Sequence, residues 1–170
     1  TGKGTSASHL SWTDDKFVEG EASIIEISGV YKKYHCPMAR TVLLGKPDQK
    51  KIDTMKRTRE ALQAGIDKTK PGNTADDVAQ AFWKVLDKYG IEKKSRTGYS
   101  IGIGYPPDWG EHTLNIQKGD KTVLQKNVCF HMIAVMQFGE WGVESSESIR
   151  VIEKGAENFY KFPDELHIKG

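Results

Sequence analysis

Residues 26–41 read Glu-Ile-Ser-Gly-Val-Tyr-Lys-Lys-Tyr-His-Cys-Pro-Met-Ala-Arg-Thr. The pattern predicts a short strand, a tight turn at Ser28 and Gly29, a second strand, and a bend at Pro37 leading into Arg40. The residue out of place is Glu26, a carboxylate inside the apolar run Ile24, Ile25, Ile27. Period-two alternation puts Ile24, Glu26 and Ser28 on one face of the strand and Ile25 and Ile27 on the other. A charge in that setting is either paired, or perturbed and put to use.

Upstream, the small polar residues Thr1 to Ser8 read as loop. Their Gly-Lys-Gly-Thr lacks the glycine spacing of a phosphate loop and no strand precedes it. His9, Trp12, Phe17 and Val18 lead through Gly20 into the strand bearing Glu26. Taken alone, His9 is a solvated loop side chain. Downstream, a strand over Thr41 to Leu44 closes at Gly45, and Pro47 suits the first turn of a helix. Ile52, Met55, Leu62 and Ile66 then recur at helical spacing until Lys70-Pro71-Gly72. Thr74 caps a second helix with Asp76 and Asp77 in its first turn, an apolar stripe of Val78, Phe82, Val85, Leu86 and Tyr89, and a stop at Gly90.

From Arg96 to His112 the chain turns glycine-rich and aromatic, a composition that lets backbone approach a ligand while Tyr99, Tyr105 and Trp109 supply walls. A bulged strand with an ordered loop would read the same way. Two apolar strands follow, Val128 to Met136 and Val143 to Ile152, the second carrying Glu144 and Glu147. The tail from Gly155 through Phe162, Pro163 and His167 carries no legible chemistry. Strands, paired helices, then strands indicate an α+β domain with helices on one face of a mostly antiparallel sheet.

The bulk numbers exclude several classes. With 170 residues, 37% hydrophobic and 28% charged, the chain suits one globular domain with one core. No apolar run approaches the roughly 20 residues that span a bilayer. A net charge of +2 with acids and bases interleaved gives no stripe for nucleic-acid phosphates. Cys36 and Cys129 read as reduced thiols of a cytoplasmic protein.

Three of these stretches together resemble the pita-bread fold enzymes, the family of methionine aminopeptidase, proline dipeptidase and creatinase. Glu26 to Thr41 lies without a gap on the family's first metal-binding signature, ending in Arg40-Thr41. Gly98-Tyr99-Ser100-Ile101-Gly102 resembles its Gly-His-Gly-Ile-Gly, and Glu144-Ser145-Ser146-Glu147 resembles its closing Arg-x-Glu-Asp. The metal-dependent members hold two ions with two Asp, one His and two Glu. The matching positions here are Glu26, Pro37, Tyr99, Ile133 and Ser146, a set that lacks the oxygens and imidazole such ions need. The resemblance therefore implies metal-independent chemistry with no cofactor, as in creatinase, whose catalytic His precedes the strand as His9 precedes Glu26. The run Tyr31-Lys32-Lys33-Tyr34-His35-Cys36-Pro37, together with Arg96 to Gly102 and Tyr105-Pro106-Pro107-Asp108-Trp109-Gly110-Glu111, resembles the ectoine hydrolase branch.

That branch implies opening of the cyclic amidine of ectoine or 5-hydroxyectoine to N-acetyl-diaminobutyrate. Glu26 is then the nucleophile or general base and His9 the proton shuttle, with Tyr99, Trp109, Glu111 and Glu147 around the substrate. It further implies a cytoplasmic homodimer in which residues 1–170 are the C-terminal part of a pita-bread catalytic domain, completed by the missing N-terminal part of the same protein. An Xaa-Pro metallopeptidase, a creatinase-like amidinohydrolase and a non-catalytic pita-bread interaction module stay open as alternatives.

Overall fold

The computed structural model describes residues 1–170. Its opening hairpin is longer than its sequence suggests. Strand β1 (Ala22–Tyr31) and strand β2 (Tyr34–Leu44) pair antiparallel without interruption, from Ala22 opposite Leu43 to Tyr31 opposite Tyr34. The turn is therefore at Lys32 and Lys33, while Ser28 and Gly29 sit mid-strand opposite Pro37 and Cys36. Both lysines take positive φ, 48° and 71°, as a two-residue turn joining right-twisted strands requires. Continuous cross-strand pairing outweighs the strain of two non-glycine residues there. Pro37 stays inside β2, and its carbonyl accepts from Ser148 Oγ at 2.6 Å.

Helix α1 (Gln49–Lys68) starts behind Asp48, whose carboxylate accepts the Lys51 N–H at 2.8 Å; Pro47 precedes that cap instead of occupying the first turn. Helix α2 (Ala75–Lys88) opens on a complete capping box. Thr74 Oγ1 accepts the Asp77 N–H at 3.1 Å, and the Asp77 carboxylate accepts the Thr74 N–H at 2.8 Å. Thr74→Ala is expected to cost about 1 kcal/mol of stability. Urea denaturation should show this as a lower midpoint with an unchanged slope.

Six more strands complete the sheet: β3 (Gly98–Tyr105), β4 (Asp108–Ile116), β5 (Cys129–Phe138), β6 (Trp141–Ile152), β7 (Gly155–Asn158) and β8 (His167–Lys169). The order is β1-β2-β3-β5-β6-β7, with β4 paired to β3, and only the β2–β8 pair is parallel. Alternation in β5 and β6 separates two faces. Phe130, Met132, Ala134 and Met136, with Val143, Ile149 and Val151, join Met55, Leu62, Phe82 and Leu86 of the helices in one core. The opposite face carries His131, Ile133, Glu144, Ser146 and Ser148.

That second face is covered by β2. Strands β2 and β3 share a single pair, Tyr34 opposite Ile103, so the sheet splays there and curls back. The Ala39 N–H donates to Ser146 Oγ at 2.7 Å. Thr41 Oγ1 donates to the Glu144 carbonyl at 2.8 Å and accepts the Glu144 N–H at 2.7 Å. This is the α+β arrangement that the sequence pattern predicts, with the sheet doubled over on itself. The segment expected as plain loop at Thr1 to Ser8 contains a 3-10 turn (Gly2–Ser6), whose Thr5 Oγ1 accepts the Gly142 N–H. No helix is long and apolar enough to cross a membrane.

Candidate active site

The doubled sheet sets Glu26 beside a line of polar side chains. Glu26 is the cross-strand neighbour of Ala39, and the Ala39 N–H is bonded to Ser146. From Ser146 the contacts continue. His131 Nε2 lies 2.6 Å from Ser146 Oγ, its Nδ1 lies 3.0 Å from the Tyr99 hydroxyl, and Trp109 Nε1–H donates to that hydroxyl at 2.6 Å. Tyr99 is set opposite His131 by the β3–β5 register, and the two rings meet edge to face. The Arg96 guanidinium covers the Tyr99 ring, 4.5 Å from its centroid.

Burial sets the charges. His131 is fully buried, and loss of hydration pushes its pKa down to about 3, so the imidazole is neutral at physiological pH. Glu144 is also buried, and dehydration, with Glu26 nearby, pushes its carboxyl up to about 8, against the pull of Lys93. Buried Lys93 is driven the other way, to about 8. Glu26 keeps solvent contact, yet the surrounding protein dehydrates it enough to raise its pKa, while His9 pulls it down. The structure thus brings His9 into electrostatic range of Glu26, although its side chain is exposed and sequence alone reads it as loop.

Four of the six expected site residues gather here: Glu26, His9, Tyr99 and Trp109. The other two do not. Glu111 turns away to accept the Ile103 N–H at 3.2 Å, lies against Gly102 and lines a separate cavity of about 800 Å³. The unbridged Cys36 and Cys129 line it too. Glu147 belongs to the core-facing side of β6, where it is buried against Arg40, with Nη2 to Oε1 at 2.5 Å. The tail supplies the rest of that cluster: Arg40 Nε donates to the Pro163 carbonyl, and the Tyr160 hydroxyl donates to the Ser146 carbonyl. The tail's role was invisible in its sequence, since these contacts are long-range. His131 was missed too, although its signal is simple: a histidine in an apolar strand sharing a face with Ile133.

The family model for metallopeptidase family M24 matches residues 1–153. The chain belongs to that family. It is 43% identical over 170 residues to an ectoine hydrolase of Halomonas elongata, covering 99% of this chain and 43% of that protein. Among solved structures, dipeptidase PepE of Mycobacterium ulcerans superposes with a TM-score of 0.91 at 27% identity, over 98% of this chain and 45% of that one. A prolidase of Thermococcus sibiricus gives 0.90 at 23% identity over the same 98% of this chain and 45% of its own length, a likeness of fold alone. The chain spans less than half the length of these relatives. Its curled sheet with helices on one face is the pita-bread fold.

A metal pair does not fit the residues that this M24 chain presents. Pro37 and Ile133 offer no donor atom, both nitrogens of His131 are taken by Tyr99 and Ser146, and Ser146 Oγ is taken by Ala39. No three His, Cys, Asp or Glu side chains come together as a ligand group. A hydrogen-bonded line of neutral side chains fills the space in place of ligands.

Proposed function

We propose that the protein is a hydrolase that opens the cyclic amidine of ectoine or 5-hydroxyectoine to N-acetyl-diaminobutyrate without a metal. The observation that carries this reading is Glu26: an exposed carboxylate on the hairpin whose pKa the neighbouring protein raises, with Tyr99 and His9 in electrostatic range. The similarity to an ectoine hydrolase supports the substrate. An amidinium is cationic and planar, and a carboxylate binds it through paired charge-assisted hydrogen bonds as it would a guanidinium. Those bonds favour the ionised Glu26 that burial alone disfavours.

In the reaction Glu26 either attacks the amidine carbon or removes a proton from the water that does. His9 delivers a proton to the departing ring nitrogen. Tyr99 and Trp109 form the wall against which the ring sits. Ile25, Ile27, Val30, Tyr31 and Tyr34 leave an exposed apolar surface along the hairpin, which supports packing against further polypeptide in a cytoplasmic homodimer of a longer chain.

Incubating the full protein with ectoine and following the acetylated diamino acid by chromatography tests the reading. Turnover is expected to be unchanged after exhaustive dialysis against a chelator. Chelator-sensitive turnover, or two tightly held divalent ions per chain in elemental analysis, would overturn it in favour of a metallopeptidase.

A further inference from the structure

The hydrogen bonds behind Glu26 have directions that can be counted. They run from the Ala39 N–H through the Ser146 hydroxyl, the His131 imidazole and the Tyr99 hydroxyl to the Trp109 N–H, at 2.7, 2.6, 3.0 and 2.6 Å. Both ends are obligate donors, because a backbone amide N–H and an indole N–H accept nothing. They therefore take one lone pair on Ser146 and one on Tyr99. Three hydrogens remain, one each on Ser146, His131 and Tyr99, for the two links that join these residues. One hydrogen has to leave the line.

If the serine hydrogen left, it would be stranded. Ser146 is fully buried, and its hydroxyl has no partner besides Ala39 and His131. Buried polar groups in folded proteins are almost always satisfied. Tyr99, in contrast, is half-buried, and Glu26 lies within electrostatic range of its hydroxyl but not in hydrogen-bond contact with it. Space for an acceptor therefore exists at the tyrosine end and not at the serine end.

We propose that His131 carries its hydrogen on Nδ1, accepts from Ser146 at Nε2, and so fixes Tyr99 as a donor to the oxygen that adds to the amidine carbon. In this arrangement both lone pairs of Tyr99 are occupied, by Trp109 and by His131, and its own hydrogen is the only one free. As the carbon–oxygen bond forms, the carbon–nitrogen π pair moves to nitrogen. With water as the attacking group, Glu26 takes its first proton. When the ring carbon–nitrogen bond then breaks, its electron pair stays on the leaving nitrogen, which receives that proton by way of His9. The remaining hydroxyl proton passes to Glu26 and on to the freed amine as the added oxygen becomes the amide carbonyl. A fixed donor beside that oxygen stabilises the negative charge it takes up as its hydroxyl is deprotonated and the ring bond breaks, at no reorganisation cost. His131 is a positioning residue; Tyr99 touches the reacting atoms. The donor role rests on the amidine-opening reading, and the tautomer does not.

Long-range proton–nitrogen correlation spectra of the full chain, selectively labelled at histidine, report the tautomer without substrate. At pH 7, His131 is expected to show a bare Nε2 and a hydrogen-bearing Nδ1. An Nε2–H tautomer or an imidazolium overturns the assignment. With ectoine as substrate, Tyr99→Phe is expected to lower kcat about 100-fold with KM changed less than about twofold; wild-type kcat in this variant overturns the donor role. If the wild-type protein leaves ectoine intact while His131 shows the bare Nε2, the amidine reading fails and the tautomer stands. If ectoine is opened while Nε2 carries the hydrogen, the reverse holds.

Discussion

Glu26→Gln is expected to lower kcat for ectoine opening by about 10³-fold or more, and Glu26→Ala by at least as much. The glutamine keeps the shape of the side chain and its hydrogen-bonding reach, so the loss isolates the charge. A factor of 10³ corresponds to about 4 kcal/mol of transition-state stabilisation, as expected when a base or nucleophile disappears from a site with no other free carboxylate to replace it. Glu144 is a poor substitute, since burial raises its pKa and disfavours the ionised form. Because Glu26 retains solvent contact on its strand, the thermal midpoint should stay within a few degrees of wild type. The pH profile carries a second signature. A carboxylate acting as base or nucleophile works above its pKa, and burial raises that of Glu26 above the ordinary 4.5. The acid limb of kcat/KM should therefore fall above pH 4.5 and vanish in Glu26→Gln. Full activity in both variants would remove Glu26 from the chemistry.

The hairpin shows how much of this was legible in the sequence. Alternation along Ile24 to Ser28 identified both the strand and the odd carboxylate, because period two is a property of the backbone itself. The sequence pattern puts the turn four residues too early, since Gly29 carries turn chemistry and Lys32-Lys33 does not. What decides the register is the full set of cross-strand pairs from Ala22 to Leu43, which no local signal contains. Helix α2 was legible at both ends for the opposite reason: Thr74, Asp77 and Gly90 are caps whose physics is local.

Site membership followed the same division. The resemblance places Glu147 among the substrate residues, whereas alternation on β6 sets it on the face opposite Ser146. The resemblance of the run Tyr105 to Glu111 places Glu111 with Trp109 around the substrate. The register shifts between β3 and β4 send its carboxylate to Ile103 instead. Ser146 and Tyr99 could be recognised as replaced metal-ligand positions. That they are joined through His131 follows only from the pairing of β3, β5 and β6, which comes from distant parts of the chain.

Glu147→Gln and Arg40→Met are each expected to destabilise the fold by about 3–5 kcal/mol, because each leaves one buried partner uncompensated. The ion pair is nearly solvent-free, with side-chain exposures of 5% for Arg40 and 4% for Glu147. Arg40 also donates to the Ala39 and Ser146 carbonyls, at 2.9 and 2.7 Å, so it ties β2 to β6 behind the catalytic recess. Calorimetry should record a fall of about 10 °C in Tm for a chain of this size. Burial outweighs the attraction of Arg40 and raises the Glu147 pKa, which means that the ionised carboxylate is a net cost in the folded state. That cost is largest above the raised pKa. It shrinks as the pH falls toward the unfolded-state value near 4.5, where the folded form takes up a proton first. The double variant Arg40→Met/Glu147→Leu should then recover most of the lost stability, since a packed apolar pair is no worse than a buried ionic one. It should do so without restoring the tie between β2 and β6, and that separates two roles. If Glu147 held substrate, the double variant would be stable with a raised KM. If it serves only to clamp the strands, KM should stay near wild type and kcat should fall, because Ala39, Ser146 and Tyr99 lose their fixed positions relative to Glu26.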